Sequence, residues 1–449
     1  MLPQDTRHEQ IEYRVVLVRS GSHAIWVQSD GGALRLPRVT IPRWTRPAEQ
    51  LQQILKNVWH LRGIVLDVLP GKTGSAPCAV MEILSPGSGD GFAAAASEDI
   101  TEQEMASDER EAVKAILAGK VGARGPFSRI GWIQEAMQWL RAELGHEIAF
   151  TDDVRQYNAA GGFALVRFAT KDGRAYWLKA TGKPNVHEFH ITRMLAELCP
   201  EFLPHRIAER EDWNAWLMED AGQPVQSWTL PALEQAVSSM ATLQQKAITQ
   251  TREFLAVGAF DQRLCVLRTH LAELVEYLDE AMAKQTSKKV LRIEANRLRQ
   301  LSSLLQDACF HMEALEIPDT LVHNDINSGN ILFEGTRCVF TDWCEAGVGS
   351  PFFAFQYLCL LEAHGNGDWA PSLRKLYKQC WLDRLSASQI DQAFALTPLL
   401  AILAYLYGRG TWLHSLKRND PHVESYARSL ARHIDRAAQD PQLLEVLCH

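Results

Sequence analysis

Four of the polar side chains in the stretch LVHNDINSGNILFEGTRCVFTDW have types and a spacing that suit catalysis. They are His323, Asp325, Asn330 and Asp342. An aspartate can accept the proton of an attacking hydroxyl, while an asparagine and a second aspartate offer the oxygen ligands that magnesium prefers. These residue types therefore suit the transfer of a phosphoryl group, a reaction that depends on positioning and on compensation of negative charge.

The pattern around these polar residues predicts a β-hairpin. NILF would form the outgoing strand, Gly335 would help the turn, and CVFTD would return. Because a hairpin brings its two ends together, Asn330 and Asp342 should lie side by side and near Asp325. The run HNDINSGN also has the spacing H-x-D-x-x-x-x-N of a kinase catalytic loop.

Length and composition predict an ordinary globular protein. The chain has 449 residues, of which 46% are hydrophobic and 22% charged. At roughly 100–200 residues per domain, two or three domains are expected. The net charge of −8, without a run of basic residues, argues against a nucleic-acid partner.

Cysteine usage and apolar runs bear on the compartment. The nine cysteines are scattered without a CxxC pair, which argues against a disulfide framework or a zinc site and favours the reducing cytoplasm. The start, MLPQDTRHEQ, lacks the pattern of a signal peptide. The apolar run Leu399–Tyr407 has nine residues, whereas a membrane helix needs about 20. It predicts a buried helix, and no membrane partner is expected.

Periodicity predicts a sheet-rich region followed by long helices, an α+β arrangement. Strand patterns such as YRVVLV, CAVMEIL, FALVRFAT and AYWLKAT fill the first half, with helices between them. From Trp228 onward the pattern is helical, apart from the polar stretch described above. Ser386 and Gln389 form a capping-box pattern at the start of one late helix.

The stretch VHNDINSGNILF…VFTDW resembles the aminoglycoside phosphotransferase and choline kinase family, small-molecule kinases with a protein-kinase-like fold. The resemblance runs from about Thr151 to the C-terminus. It implies a bilobal fold, with a nucleotide-binding N-lobe at 146–222 and a helical C-lobe at 223–449 that holds the catalytic loop and the acceptor site. It also implies ATP and Mg²⁺, with Asp325 as the base, Asn330 and Asp342 as magnesium ligands, and His323 as a brace for the loop.

The same resemblance implies further parts of a nucleotide site. A strand lysine should hold the phosphates and a helix glutamate should pair with it, which Lys179 and Glu188 fit. A solvated helix face is the alternative for Glu188. The remaining members are Gly161 and Gly162, in a loop NAAGGFA over the phosphates, and Met218, Glu219 and Asp220, in a hinge that reads the adenine. The chain departs from the family at Ala354, where an aspartate is frequent.

The phosphate acceptor is expected between Asp325 and the C-terminal helices. Its site would include Glu345, Arg409 and Trp412, near Tyr405 and His414. Aromatic and acidic side chains suit an amine or a sugar, in line with an aminoglycoside, choline-like or sugar acceptor. The sequence leaves the acceptor, the choice between ATP and GTP, and the oligomeric state open.

Residues 1–145 resemble a Nudix domain in their order of strands and helices. A working Nudix helix carries glutamates just before its glycine, whereas His60 and Leu61 stand before Gly63 here. This α/β domain is therefore predicted to be non-catalytic, as a binding or docking module.

Two rival functions remain open at this level. One is a nucleotide-binding pseudokinase, a scaffold with an N-terminal docking module, and the intact Asp325, Asn330 and Asp342 argue against it. The other is a Nudix-type hydrolase with a helical appendage, and the missing carboxylates argue against that.

Overall fold

The structure is a computed structural model that describes residues 9–30, 32–43, 45–71, 75–85, 91–119, 124–145, 147–362, 369–414 and 416–448. Within these ranges, the side chains at 30, 362, 411, 412, 416 and 417 lie outside the description. The chain forms two compact units, Met1–Phe189 with His205–Asp220, and His190–Pro204 with Ala221–His449. The first is rich in sheet and the second in helix, which confirms the predicted α+β class. The three-domain division with boundaries near 145 and 222 stays a prediction.

The first unit begins with a seven-stranded sheet in the order β3-β2-β1-β6-β5, with β4 on β1 and β7 on β2. Its strands are β1 (Gln10–Val18), β2 (Ile25–Asp30), β3 (Ala33–Arg35), β4 (Arg38–Pro42), β5 (Gly63–Leu69), β6 (Cys78–Ile83) and β7 (Phe92–Ala95). Three helices accompany them, α1 (Pro47–Val58), α2 (Ser107–Leu117) and α3 (Trp132–Leu144).

Most of these elements are the predicted ones. Strand β7 lies in the Gly/Ala/Ser-rich segment SPGSGDGFAAAASED, whose composition favours a loop. Alanine has little strand propensity of its own. Pairing with β2, from Ile25↔Ala95 to Gln28↔Phe92, supplies the hydrogen bonds that make this segment a strand. The Nudix-like identity of residues 1–145 stays a prediction.

A second sheet completes the first unit, with five antiparallel strands in the order β11-β12-β10-β9-β8. They are β8 (Phe150–Ala160), β9 (Phe163–Thr170), β10 (Ala175–Ala180), β11 (Arg206–Arg210) and β12 (Ala215–Glu219). Helix α4 (His187–Leu198) contains the point where the chain passes from the first unit to the second.

One hydrophobic core runs through both sheets of the first unit. Val16 and Ile64 of the first sheet and Trp132 of α3 belong to the same buried cluster as Val166 and Leu178 of the second sheet. All five side chains are shielded from water. Residues 1–145 therefore share apolar burial with the strands that follow them, and this burial stabilises both parts together.

The second unit is helical, with two small sheets of three strands each. Its helices after α4 are α5 (Leu230–Ala247), α6 (Thr251–Ala256), α7 (Leu264–Thr269), α8 (Leu271–Ala283), α9 (Ala295–Ala314), α10 (Pro351–Glu362), α11 (Ala370–Trp381), α12 (Ala387–Tyr407), α13 (Pro421–Ala437) and α14 (Pro441–Cys448). The sheets have the orders β13-β16-β17 and β14-β18-β15. Their strands are β13 (Gln223–Pro224), β14 (Phe260–Asp261), β15 (Thr320–His323), β16 (Ile331–Glu334), β17 (Arg337–Phe340) and β18 (Ala346–Gly349).

The predicted hairpin is present as β16 and β17. Ile331 pairs with Phe340 and Glu334 with Arg337 in an antiparallel register. Gly335 sits in the turn with φ of 60°, a conformation that a glycine adopts at little cost. The hairpin therefore brings residues 330 and 341 to the same end.

Helix α12 is, among the described residues, the one helix long and apolar enough to cross a bilayer. Of its most apolar 18-residue window, 72% is buried inside the protein. It begins at the predicted capping box, where the Ser386 hydroxyl accepts from the Gln389 amide. This burial agrees with the core helix that the sequence predicts.

Candidate active site

Asp325 follows strand β15, and two asparagines of the next loop hold its carboxylate. The amide nitrogen of Asn330 donates to Oδ2 of Asp325 over 2.9 Å and to its carbonyl oxygen over 2.8 Å. The amide nitrogen of Asn327 donates to Oδ1 over 3.0 Å. Both carboxylate oxygens thus have a fixed direction, while the side chain stays half-buried and within reach of a substrate.

Asp342 stands beside Asn330 because the hairpin ends there. The backbone N–H of Thr341 donates to the carbonyl of Asn330 over 2.9 Å. Asp342 itself has φ of 65° and ψ of 66°, the left-handed region that side chains other than glycine rarely occupy. Such strain costs on the order of 1 kcal/mol and tends to occur at functional sites. Here it turns the chain sharply just after β17.

His323 joins the catalytic loop to the end of the hairpin. It is buried, and its Nε2 donates to the carbonyl of Thr341 over 2.9 Å. Its ring also lies 4.5 Å from the ring of Trp343, centroid to centroid. The imidazole therefore spans from β15 to the residue next to Asp342, as a brace would.

Asn330 and Asp342, at the end of the hairpin, offer oxygen atoms that suit a magnesium ion. Asn330 uses its amide nitrogen to bind Asp325, which leaves its amide oxygen as a ligand atom. Asp342 adds an anionic oxygen. One neutral and one anionic oxygen suit a hard cation that completes its shell with water and phosphate oxygens.

The region around Asp325, Asp342 and Glu345 carries a high density of negative charge. Partial burial raises the pKa of Glu345 above its ordinary value, and the charges of Asp325 and Asp342 raise it further, while Arg409 opposes them. Glu345 still presents part of its surface to water. The three carboxylates thus act on one another, and a cation or a cationic substrate would be stabilised here.

A cavity of about 260 Å³ opens next to Glu345 in the second unit. Its walls are mainly aromatic and aliphatic, with an acid and two amides among them. The polar and aromatic residues of its lining include Phe260, Gln262, Asn324, Glu345, Tyr405 and Tyr426. The amide of Asn324 donates to Gln262 Oε1 and to the carbonyl of Glu345, both over 2.8 Å. Buried hydrogen bonds therefore fix this wall.

Some of the predicted acceptor residues lie at the cavity, and others do not. Glu345 and Tyr405 line the cavity. The guanidinium of Arg409 lies 4.3 Å from the ring centroid of Phe260, a cavity residue, and burial lowers its pKa. His414 lies 3.9 Å from a carboxylate oxygen of Glu273, away from the cavity lining. The side chain of Trp412 lies outside the described part of the chain.

In the first unit, Lys179 of β10 and Glu188 of α4 form an ion pair. The Nζ of Lys179 lies 2.6 Å from Oε1 of Glu188, with side-chain exposures of 15% and 1%. Glu188 is thus buried, which rules out the solvated helix face as its place. A buried carboxylate needs a partner, and Lys179 is held in one direction by it.

Gly161 and Gly162 form the two-residue turn between β8 and β9, rather than a wider loop. The carbonyl of Gly161 accepts from the backbone N–H of Phe127 over 3.1 Å. A Cβ at Gly161 would overlap the carbonyl oxygen of Arg124. The close approach of two backbones is the physical reason for glycine at this position.

In the predicted adenine hinge, the backbone N–H groups of residues 219 and 220 already donate to carbonyl groups of the protein. The N–H of Glu219 donates to the carbonyl of His205 over 2.9 Å, and that of Asp220 to Ala175 over 3.2 Å. Met218 pairs with Trp177 in the strand ladder. Base recognition at residues 219 and 220 would therefore fall to carbonyl oxygens, which suits an exocyclic amino group.

Asp220 makes a second set of contacts. Its Oδ2 lies 3.3 Å from both the indole nitrogen of Trp177 and Nε of Arg167. The side chain thus ties the end of β12 to β9 and β10.

Sequence reasoning missed Asn327, Asn324 and Gln262. Asn327 carries a weak local signal, because an asparagine often forms a side-chain turn with the backbone two residues further on, as Asn327 does with the N–H of Gly329 over 2.8 Å. Gln262 carries none, since it is 62 positions from Asn324, and only folding brings the two buried amides together.

The model of the APH family, described as a phosphotransferase enzyme family, matches residues 188–388. A comparison with curated protein sequences gives no match. Among solved structures, the chain is similar to a choline/ethanolamine kinase family protein from Mesorhizobium loti, with 14% identity, a TM-score of 0.46, and coverage of 70% of this chain and 98% of that one. It is also similar to an ethanolamine kinase from Plasmodium vivax, with 14% identity, a TM-score of 0.44, and coverage of 75% and 95%.

A third similar structure is the macrolide 2'-phosphotransferase MphH from Brachybacterium faecium, with 16% identity, a TM-score of 0.41, and coverage of 68% and 97%. The family match spans Glu188, Asp325, Asn330 and Asp342, whereas Lys179 and Arg409 lie outside it. Residues 188–388 thus match the phosphotransferase enzyme family, which indicates that the protein is a phosphotransferase.

Proposed function

We propose that this enzyme transfers the γ-phosphoryl group of ATP to a hydroxyl group of a small molecule. The observation that supports this best is the fixed carboxylate of Asp325, which Asn330 and Asn327 hold by both oxygens. A base that is oriented before the substrate arrives needs no further ordering at the moment of reaction.

Asp325 takes the proton in this proposal. The acceptor hydroxyl donates a hydrogen bond to the carboxylate, and its oxygen forms the new bond to the γ-phosphorus. The bond from that phosphorus to the bridging oxygen breaks, and ADP leaves. Asp325 receives the hydroxyl proton, which it can return to water after the product departs.

Asn330 and Asp342 would hold magnesium, which supplies positive charge against the triphosphate when it is bound. His323 contributes indirectly. Its hydrogen bond to the carbonyl of Thr341 positions the hairpin end from which Asp342 projects.

Lys179 is the proposed clamp for the α- and β-phosphates. Its ammonium is already directed by Glu188 at 2.6 Å, so little side-chain entropy is lost when a phosphate binds. The turn at Gly161 and Gly162 would approach the phosphates with backbone N–H groups. The carbonyl oxygens of residues 219 and 220 would accept a hydrogen bond from the amino group of adenine.

For the acceptor we propose a small alcohol that carries an amino group. The cavity of about 260 Å³ is small, since pockets for drug-sized ligands span roughly 300–1,000 Å³. The rings of Phe260, Tyr405 and Tyr426 suit the carbon skeleton, and Glu345 offers a negative charge near Asp325. An ammonium group at Glu345 would direct a neighbouring hydroxyl toward the base.

Acceptor-stimulated consumption of ATP tests this proposal. Purified enzyme with ATP and magnesium is screened against amino alcohols, amino sugars, neutral sugars and nucleosides, with ADP release as the signal. Stimulation by an amino alcohol or amino sugar is expected. Nucleotide binding without stimulation by any acceptor would instead favour the pseudokinase scaffold.

A further inference from the structure

The tip of the β8–β9 turn is pressed against a short segment of the N-terminal region, Arg124–Ser128. A Cβ at Gly161 would overlap the carbonyl oxygen of Arg124 and would lie 2.5 Å from the hydroxyl oxygen of Ser128. The N–H of Phe127 donates to the carbonyl of Gly161 over 3.1 Å. Backbone therefore touches backbone here, with no side chain between.

A buried aspartate anchors this segment. Asp67 of β5 has a side-chain exposure of 4% and forms an ion pair with the guanidinium of Arg124. The hydroxyl of Ser128 donates to Oδ2 of Asp67 over 3.3 Å, and the other oxygen accepts from the N–H of Val68 over 2.9 Å. Two side chains of the segment thus depend on one carboxylate in the first sheet.

The opposite face of the turn is also closely packed. A Cβ at Gly182 would lie 2.8 Å from the carbonyl oxygen of Gly162, and one at Gly162 would lie 3.2 Å from the Cα of Gly182. The turn is therefore held between the N-terminal segment on one side and the chain after β10 on the other.

Strand β8, which leads into the turn, is bound to the N-terminal sheet as well. The side-chain amide of Gln156 accepts from the N–H of Val65 over 2.7 Å and donates to its carbonyl over 2.8 Å. The side chain of Gln52 donates to the carbonyl of Val154 over 2.8 Å and accepts from the N–H of Gln156 over 3.0 Å. Gln156 thus joins β8 to β5, and Gln52 joins β8 to α1.

We propose that Arg124 and Asp67 are positioning residues of the nucleotide site, which hold the Gly161–Gly162 turn where it meets the phosphates. This inference rests on the proposed ATP-binding role of the first unit. It gives the N-terminal region a part in the kinase reaction, through the placement of a turn, instead of a separate docking role.

The expected effect is on nucleotide affinity. A turn that is already ordered loses little conformational entropy when phosphates bind, and a loosened turn pays that cost on binding. The described residues that line the acceptor cavity all belong to the second unit, so acceptor affinity should not depend on Arg124.

The variant Arg124→Ala tests the inference, with Arg38→Ala as the matched control. Arg38 pairs with Glu12 and Glu104 in the first sheet and has 47% of its side chain exposed, against 40% for Arg124. Arg124→Ala should raise the Kd and KM for MgATP by roughly threefold to tenfold, as loss of an ion pair to a buried carboxylate allows. The acceptor KM should stay unchanged, Arg38→Ala should match the wild type, and Arg124→Lys should restore most of the affinity.

Hydrogen exchange measured without nucleotide gives a second readout. Peptides that cover residues 158–165 should exchange faster in Arg124→Ala than in Arg38→Ala. A wild type that binds MgATP, together with an Arg124→Ala variant of unchanged Kd and unchanged exchange, would overturn the inference alone. A wild type that binds no nucleotide at all would overturn the proposed function, and this inference with it.

Discussion

The side-chain amide of Asn330 and the carboxylate of Asp325 form one hydrogen-bonded unit, joined at 2.9 Å through Oδ2 and at 2.8 Å through the backbone carbonyl. The residue proposed to hold magnesium is thus the residue that orients the base. Removing Asn330 should therefore disturb both functions, and the effects on kcat of substitutions at Asn330 and Asp325 should not add.

Asp325→Ala should lower kcat by roughly 10²–10⁴, the contribution of a positioned general base. The Kd for MgATP should stay close to that of the wild type, because Asp325 does not contact the triphosphate in the proposed reaction. Steady-state kinetics and calorimetry measure the two quantities. Asp307→Ala, an exposed aspartate on α9, is the control. Normal turnover of Asp325→Ala would remove it as the base.

Asp342→Ala should weaken the dependence of nucleotide binding on magnesium, because a hard cation loses its anionic ligand. Calorimetric titration of ATP with and without magnesium gives the ratio of the two affinities. Glu334→Ala, at the far end of the same hairpin and exposed, should keep the wild-type ratio. An unchanged ratio in Asp342→Ala would place the metal elsewhere.

Glu345→Gln should raise the KM of an amine-bearing acceptor roughly tenfold or more, the value of a hydrogen bond to a charged group. A neutral acceptor and MgATP should be affected little. The matched control is Glu273→Gln, since Glu273 lies by His414 and His270 outside the cavity lining. Equal losses for charged and neutral acceptors would show that Glu345 does not read an ammonium group.

The ionisation of Asp319 should lower the free energy of unfolding of the second unit as the pH rises. Burial raises its pKa from 3.8 to about 6, an effect that Arg263 opposes and that Asp261 and Glu313 reinforce. The folded state therefore holds a proton that the unfolded chain has already lost between these two values. The free energy of unfolding must fall as the pH rises through this window.

The Asp319→Asn variant should not lose stability in this way as the pH rises. It should be more stable than the wild type at about pH 7.5, by about 1 kcal/mol or more, and no more stable at about pH 4. Urea unfolding at both pH values measures the difference. Asp307→Asn is the control, and a gain of the same size at both pH values would contradict the titration of Asp319.

The N-terminal region should not hydrolyse nucleoside diphosphate compounds. In α1 the one carboxylate is Glu49, and Gln52 of the same helix is already bound to the carbonyls of Gly63 and Val154. The other acids of the cavity beside α1 are Asp152 and Asp153, and these pair with Arg62 and Lys56, which leaves little net negative charge for a divalent cation. The full-length Asp325→Ala variant, incubated with such compounds and manganese, should release no nucleoside monophosphate. Release that EDTA abolishes and that Glu49→Gln reduces would revive the hydrolase function.

Much of the candidate site could be predicted because its signals are local. Asp325, Asn330 and Asp342 lie within one loop and one hairpin, so their spacing and the turn at Gly335 suffice to bring them together. The pairing of Lys179 with Glu188, which joins a strand to the next helix, was implied by the family resemblance and not by a local pattern. The hinge amides could not be predicted, since their partners His205 and Ala175 lie on neighbouring strands.

The sequence by itself determined most of the strands and helices, the hairpin and the acidic residues at its end, because periodicity, turn residues and short spacings act over a few residues. Only the tertiary structure decided that Gln262 meets Asn324 and that Arg124 meets both Asp67 and Gly161. These contacts join residues far apart in the chain. They form because buried polar groups must find partners wherever the packing of the core places them, and no local pattern encodes that placement.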